Sequence, residues 1–243
     1  GSKEFYSLIT KAAFANPFGE ERIKLDRRVA GLTGAPPVKG EAADLDQALD
    51  KLAEQIKRVE QDGGGRLQVY SGDEQVLMKT VFLFQIFHDF IASFDAYIID
   101  QQKAGDESLP VPFAGQVLER LKLRGFPSAE AIRYLALFYQ LRRAFFFIRN
   151  GLVGESGSIQ QLRMRLWNNV FTCNVQRYDQ YLWNRMEDFS TLLLGETGSG
   201  KGAAAQAIGC SGFIPFDETA GRFTESFTRS FIALNLSQYP ESL

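Results

Sequence analysis

The residues best suited to chemistry form a glycine-rich segment at positions 195–202, with the sequence GETGSGKG. This segment matches the first seven positions of the phosphate-binding loop pattern GxxxxGK[ST]. Glycines let the backbone curve so that successive N–H groups point inward, and the side chain of Lys201 can reach the outer phosphates of a nucleotide. The spacing predicts a nucleotide-phosphate site, because a merely flexible glycine turn would not need the lysine.

One position of the loop departs from this pattern. The usual Ser or Thr after the lysine, whose hydroxyl contacts Mg²⁺, is replaced by Gly202. Coordination of Mg²⁺ would therefore have to come from waters or from acidic residues that the motif does not identify.

The elements that must position the loop occur in the right order. Residues 191–194 (TLLL) predict a short strand that runs into the glycines, and the alanine-rich residues 203–208 predict a helix whose positive end faces the anion. A Gly/Ser-rich stretch at 151–158 precedes an amphipathic helix expected from about Ile159 to Asp188. The change of character at Gly151 predicts a boundary between a domain at 1–150 and a second one at 151–243.

The first 150 residues read as helical throughout. Helices are predicted over about 3–15, 20–30, 42–61, 73–103, 113–123 and 127–150, with a glycine- and proline-rich loop at 31–40. The helix at 73–103 is apolar on most of its circumference, which predicts the central helix of a bundle. The many aromatic residues predict a core and a dimer interface, with a ligand-lined pocket as the alternative. The expected fold class is mainly α, with an all-helical bundle followed by an α/β segment.

Composition limits the class of protein. Lys plus Arg number 27 against 29 Asp plus Glu, a net charge of −2 that provides no overall basic field for nucleic acid or an anionic membrane. Cys173 and Cys210 fit neither a disulfide framework nor a zinc spacing, which favours a reduced, cytoplasmic location. The apolar stretch at 76–99 is interrupted by charges such as Lys79, and we interpret it as a buried helix of a soluble protein.

Two further groups of residues invite a functional interpretation. His88, the only histidine, lies seven residues before Asp95, a spacing that suggests a metal or acid/base pair; a hydrogen-bonded structural histidine is the favoured interpretation. A basic cluster near the domain junction predicts a solvated face or an interdomain contact, with nucleotide-phosphate binding as the alternative. Its members are Arg142, Arg143, Arg149, Arg163 and Arg165.

Residues 192–202 (LLLGETGSGKG) resemble the Walker A region of the AAA+ ATPase domain of sigma-54-dependent transcriptional activators, the bacterial enhancer-binding proteins. That family also lacks Ser or Thr after the lysine, although it usually has Glu there. Residues 152–156 and 159–162 are similar to the segment that opens the domain, and 230–236 with 240–243 resemble its second strand and the following turn. The resemblance covers about 152–243, with insertions at about 173–187 and 212–229.

The resemblance implies a site, a cofactor and partners. ATP with Mg²⁺ is the implied cofactor of the full-length protein, with Val153 and Gly154 against the adenine and the helical domain in a regulatory role. The Walker B acidic pair, the GAFTGA loop, the arginine fingers and the helix-turn-helix would follow Leu243, so this fragment would lack catalytic residues. The implied partners are sigma-54 RNA polymerase holoenzyme and DNA through those further parts, together with other copies of the chain. The residues implied to cradle the phosphates are Gly195, Thr197, Gly198, Ser199, Gly200, Lys201 and Gly202.

A second interpretation makes the chain a helical signal-sensing or dimerisation module without enzymatic activity. It rests on the size of the helical region, which exceeds that of the ATPase-like portion. It also rests on the richness of this region in phenylalanine, of which the whole chain has 21. Another P-loop NTPase or kinase is a third possibility, for which the flanking motifs give no support.

Overall fold

The computed structural model describes residues 2–32, 41–183 and 190–234. The described part of the protein is mainly α, with 68% of those residues in helices. Within the described ranges the paired strands are β1 (Phe216–Asp217) and β2 (Arg222–Phe223), which form an antiparallel hairpin. The helices are α1 (Ser2–Phe14), α2 (Glu20–Ala30), α3 (Glu41–Gln61), α4 (Gly72–Asp89), α5 (Ile91–Ala104), α6 (Ala114–Leu123), α7 (Ser128–Gly151), α8 (Gly157–Val170), α9 (Val175–Arg177) and α10 (Lys201–Gly209).

The first three helices form where the sequence predicts them. α1 buries Tyr6, Ile9 and Ala12, three residues apart in turn, against α4 and α2. This spacing keeps the three side chains close to one helix face. α2 ends at Gly31, whose left-handed backbone (φ 71°) lets its N–H reach back to the last turn of the helix. The loop predicted at 31–40 lies outside the described residues from position 33 onward.

The prediction of a single helix over 73–103 is wrong, because the helix is interrupted at Phe90. The two resulting helices, α4 and α5, are bent by 54° relative to each other. Neither proline nor glycine marks the break. The bend buries Phe90 together with Phe94, and both rings pack against Phe113 at centroid distances of 6.2 and 4.9 Å. Within the described ranges no unbroken helix has the length and hydropathy to cross a membrane, and only this bent pair passes that test when taken together.

α7 connects the elements that precede it in the chain with those that follow it. It packs against α5, α6, α8, α10 and β1. From Tyr134 to Gln140 every residue is buried, so the helix is enclosed on all sides over this stretch. α7 ends at Gly151, the position of the expected domain boundary. Buried residues from both sides of this position, such as Ile148 and Ala204, belong to one hydrophobic cluster; the division into two domains stays a prediction.

The long helix predicted from Ile159 to Asp188 is also wrong within the described range. α8 ends at Val170, and the next turn contains Thr172 and Cys173 with positive φ values of 51° and 61°. A helix cannot continue through left-handed residues. The turn brings Phe171 against Tyr178 with their ring centroids 5.2 Å apart, and both side chains are fully buried. Residues 184–188 of that prediction lie outside the described residues.

The segment after residue 190 does not show the expected α/β sheet. Residues 190–194 have no regular secondary structure, and Leu192 and Leu194 are 80% and 85% exposed. The described part of the second expected strand, 231–234, is likewise irregular, and the rest of it lies outside the described residues. An extended segment becomes a strand only where a neighbour pairs with it, and in the described ranges the pairing is between β1 and β2. This hairpin packs on α7, where Phe223 stacks on Tyr139 at 4.0 Å.

Candidate functional site

The loop at residues 195–202 curves as a phosphate-binding loop requires. Gly198 and Gly200 have φ values of 81° and 88°, in the left-handed region that favours glycine. A turn over residues 196–199 is closed by the N–H of Ser199, which donates to the carbonyl of Glu196 at 3.2 Å. The loop is largely exposed and leads directly into α10, whose first residue is Lys201. The predicted order of loop and helix is therefore present.

The ammonium of Lys201 lies inside the curve of the loop. Its Nζ donates hydrogen bonds to the carbonyl oxygens of Gly195 at 2.7 Å and Glu196 at 2.5 Å. The same region holds the N-terminus of α10, where the first N–H groups have no partner within the helix and the dipole is positive. A cation, exposed N–H groups and a helix N-terminus together form an arrangement that attracts an anion such as phosphate.

The other glycines of the loop differ in how strictly glycine is needed. A Cβ at Gly195 would lie 2.8 Å from Oγ of Ser199, so the two residues could not approach as they do with a larger side chain. A Cβ at Gly202 would meet no atom within 4 Å, and its φ is not positive. Gly202 is therefore required by neither space nor backbone conformation. Thr197, the remaining predicted ligand, is exposed.

The segment predicted to face the adenine passes beside the same helix. A Cβ at Gly151 would lie 3.9 Å from the carbonyl oxygen of Ala203 in the first turn of α10. Val153 and Gly154 follow two and three residues later. Val153 is 86% exposed, and the carbonyl of Gly154 accepts a hydrogen bond from Arg163 at 3.0 Å. The structure thus places Gly151 beside the start of α10, while the contacts of Gly154 are with Ile159 and Arg163 of α8.

The opposite end of α10 is held by two side chains that sequence reasoning did not connect with the loop. Arg143 donates to the carbonyls of Cys210 at 2.7 Å and Gly212 at 2.8 Å, and Gln140 donates to the carbonyl of Ser211 at 2.9 Å. These three consecutive carbonyls follow the last turn of α10, where a helix has unpaired acceptors and a negative dipole. The sequence signal that could have indicated this contact is the presence of Gln140 and Arg143 within a mostly apolar helix.

Arg143 is fully buried, unlike the solvated arginine that the basic cluster suggested. Its guanidinium lies over the ring of Tyr139 at 4.3 Å, and burial lowers the pKa of Arg143 below its ordinary value. Arg143 therefore contacts the segment that follows α10, whereas Arg149 and Arg165 are exposed. Arg142 instead forms a bidentate pair with Asp95, with both N–O distances at 2.6 Å.

His88 is a hydrogen-bonded structural residue, as the favoured interpretation predicted. Its Nδ1 lies 2.8 Å from the carbonyl of Phe84, which places the proton on Nδ1, and Nε2 lies 3.5 Å from Nη2 of Arg22. Desolvation by the surrounding protein and the positive charge of Arg22 lower the pKa of His88 to about 3. Asp95 binds Arg142, so the structure does not join it to His88.

The residues that could hold a metal ion are sparse. Within residues 2–32, 41–183 and 190–234 there is no group of three or more His, Cys, Asp or Glu side chains arranged to bind one. Gly202 supplies no hydroxyl to Mg²⁺. The described loop therefore fits the phosphates of a nucleotide and does not by itself complete a Mg²⁺ site.

Comparison with known proteins assigns no family to this chain. No protein-family model matches the sequence, and searches of curated proteins and of solved structures found no significant match. Any function therefore has to be argued from the residues and their geometry.

Proposed function

We propose that this chain is the regulatory and nucleotide-binding part of an ATP-dependent transcriptional regulator that acts on sigma-54 RNA polymerase. The observation that carries the proposal is the position of Lys201, whose ammonium lies within a loop of left-handed glycines at the start of α10. The resemblance of residues 192–202 to sigma-54 activators supplies the nucleotide, ATP, and its Mg²⁺.

In this proposal the two parts of the chain have different tasks. Residues 1–150 form the regulatory domain, and 151–243 belong to an AAA+ domain that binds ATP and self-associates. Contacts with sigma-54 polymerase and DNA, and the acidic residues and arginine fingers for hydrolysis, belong to other parts of such an activator. The proposed location is the cytoplasm.

Phosphate binding would follow from a change of partner by Lys201. Its ammonium is bound to two backbone carbonyls. A phosphate oxygen carries a full negative charge, so it is a stronger acceptor for an ammonium than a neutral carbonyl is. We expect the side chain to leave the carbonyls and bind the outer phosphates of ATP, while N–H groups of the first turn of α10 donate to the same anion.

The binding step is tested by titrating a fluorescent ATP analogue and measuring its anisotropy. Removal of a charged hydrogen bond costs about 1.5–3 kcal/mol, so Lys201→Ala should weaken binding by about ten- to a hundredfold. Lys11→Ala, at an exposed lysine outside the loop, is the matched control and should bind as the wild type does. Equal affinity of the Lys201→Ala and Lys11→Ala variants would overturn the proposed site.

The transcriptional part of the proposal is tested in the organism that carries the gene. Deleting this gene and deleting the sigma-54 gene should abolish a shared set of transcripts in RNA sequencing. Two sets of affected transcripts with no overlap would remove sigma-54 from the proposal, even if ATP binding were established.

A helical signal-sensing module without enzymatic activity is the second candidate function. A large apolar cavity between α4 and α7 favours it. The two candidates differ in what they require of the loop, because a sensing module needs no ATP affinity at Lys201.

A further inference from the structure

The helical part of the protein contains a cavity of about 900 Å³ that is open to solvent. Its walls come from helices α1 to α5, α7 and α8, and from residues 175–183. Protein interiors contain few voids larger than a water molecule, whereas sites for small molecules measure roughly 300–1,000 Å³ and are mostly apolar. A volume of this size is therefore that of a ligand site. Among the side chains that line it are Leu83, Phe87, Leu137, Phe138, Leu141 and Phe145.

Four of the five cations at the cavity wall are already paired with carboxylates of the same chain. Arg22 binds Asp26 at 2.9 Å, and Arg142 binds Asp95 as described above. The other two pairs are Lys79 with Glu130 and Arg133 with Asp179. Arg149 also lines the cavity but is exposed. Inside the cavity an anionic ligand would have to displace one of these carboxylates, and Arg149 could reach an anion only at the exposed edge, so the charge arrangement favours an uncharged ligand.

The aromatic surfaces of the wall indicate the shape of that ligand. The guanidinium of Arg22 lies 5.3 Å from the ring centroid of Phe84, and that of Arg142 lies 4.8 Å from the ring centroid of Phe145. These stacked arginines present flat, weakly hydrated surfaces. Flat aromatic and guanidinium surfaces pack well against a planar apolar molecule.

Among the side chains that line the cavity, Trp167 has a buried donor without a protein partner. Trp167 is 7% exposed, and its indole N–H has no hydrogen-bond partner among the described residues. A buried N–H without a partner is destabilising, and an acceptor on a ligand would remove this cost. An indole N–H is only a donor, which requires the ligand to supply an oxygen or nitrogen acceptor.

We propose that this cavity binds an uncharged, planar aromatic small molecule that carries a hydrogen-bond acceptor for Trp167. The inference deepens the second candidate function, since it names the ligand class of the sensing module, and it does not depend on the nucleotide loop. The side chains that line the cavity predict an order of affinity, in which neutral aromatic molecules bind more tightly than their anionic analogues.

Both tryptophans of the chain, Trp167 and Trp183, line the cavity, so its occupation can be measured directly. The probe is 6-propionyl-2-dimethylaminonaphthalene, an uncharged planar aromatic ketone whose carbonyl can accept a hydrogen bond from Trp167. It fluoresces in apolar surroundings and accepts energy from tryptophan. We expect saturable binding of one probe per chain with quenching of tryptophan emission. A sulfonated naphthalene, 8-anilinonaphthalene-1-sulfonate, should bind about tenfold more weakly or worse because its charge is unpaired inside the cavity.

Cavity-filling variants locate the bound probe. Ala13 and Thr80 line the cavity, and Ala13→Phe and Thr80→Phe each add a ring to it. Ala92→Phe, at an exposed position outside the cavity, is the matched control. Circular dichroism identifies any variant that fails to fold, and the other filling variant then carries the comparison.

Each outcome decides the proposal. Loss of most of the probe affinity in a folded filling variant, with the control unchanged, supports it. Probe affinity that is equal in the filling and control variants, unsaturable binding, or equal affinity for the sulfonated probe would overturn it. Lys201→Ala should leave probe affinity unchanged, so failure of the nucleotide proposal is distinguishable from failure of this one.

Discussion

Replacing Arg143 with methionine tests whether α7 holds the end of α10. Methionine keeps much of the apolar stem and removes the guanidinium that donates to the carbonyls of Cys210 and Gly212. Each buried acceptor left without a donor costs about 1–3 kcal/mol. Two such acceptors cost about 4 kcal/mol at the middle of that range, and relief of the buried charge offsets part of this. We expect Arg143→Met to lower the free energy of unfolding by about 3 kcal/mol.

The assay is urea denaturation followed by circular dichroism, together with hydrogen exchange of the α10 amides. Exchange separates a local release of α10 from global unfolding, because release would raise exchange at 203–209 without changing the urea midpoint. Arg149→Met, at an exposed arginine of the same helix, is the control and should change stability by no more than about 0.5 kcal/mol. If Arg143→Met matches this control in both measurements, the reasoning about the buried guanidinium is refuted.

Three further predictions address the loop, the histidine and the cysteines. Gly200→Ala should weaken ATP binding, because φ of 88° costs a non-glycine residue about 1 kcal/mol or more. Gly202→Ser should be tolerated and should strengthen binding only with Mg²⁺, so a nucleotide titration in which Gly202→Ser binds more weakly than Gly200→Ala would contradict the loop geometry. The pKa of His88 lies near 3 in the native protein and its ordinary value is 6.5, so between these pH values the unfolded chain binds one proton more than the native protein. The stabilising contribution is complete above about pH 6.5 and falls by about 1.4 kcal/mol per pH unit as pH decreases. His88→Gln should flatten the pH dependence of the urea midpoint between about pH 6.5 and 5, and an unchanged slope would speak against this assignment. Cys173 is exposed, whereas Cys210 is buried and burial raises the pKa of its thiol. Ellman's reagent should therefore modify Cys173 rapidly in the native protein and Cys210 only on unfolding, and equal rates for the two thiols would be inconsistent with the packing.

The helices with clear end signals could be predicted from the sequence, and the interruptions without them could not. Gly31 and Pro127 mark the end of α2 and the start of α7, and both signals act locally through the backbone. The break at Phe90 has no such signal. It results from packing of Phe90 and Phe94 on Phe113, a contact between residues distant in sequence.

The candidate sites divide in the same way. The loop at 195–202 could be proposed as a phosphate site because glycine conformation and the spacing to Lys201 are local properties. The two expected strands could not be established, because a strand needs a partner that local sequence does not specify. The burial of Arg143 and the cavity beside α7 depend on how several helices meet, so the arginine cluster and the aromatic run left core, interface and pocket as alternatives.

The position of residues on α7 explains why its cavity and α10 contacts can be tested separately. An α-helix turns about 100° per residue. Leu137, Leu141 and Phe145 are spaced by four and therefore fall on one side, where they line the cavity. Gln140 and Arg143 fall well away from the centre of that side and bind the carbonyls after α10. Because the two sets of contacts use different faces of one helix, a change at the cavity face removes no donor from α10, and a change at Arg143 removes no side chain from the cavity wall.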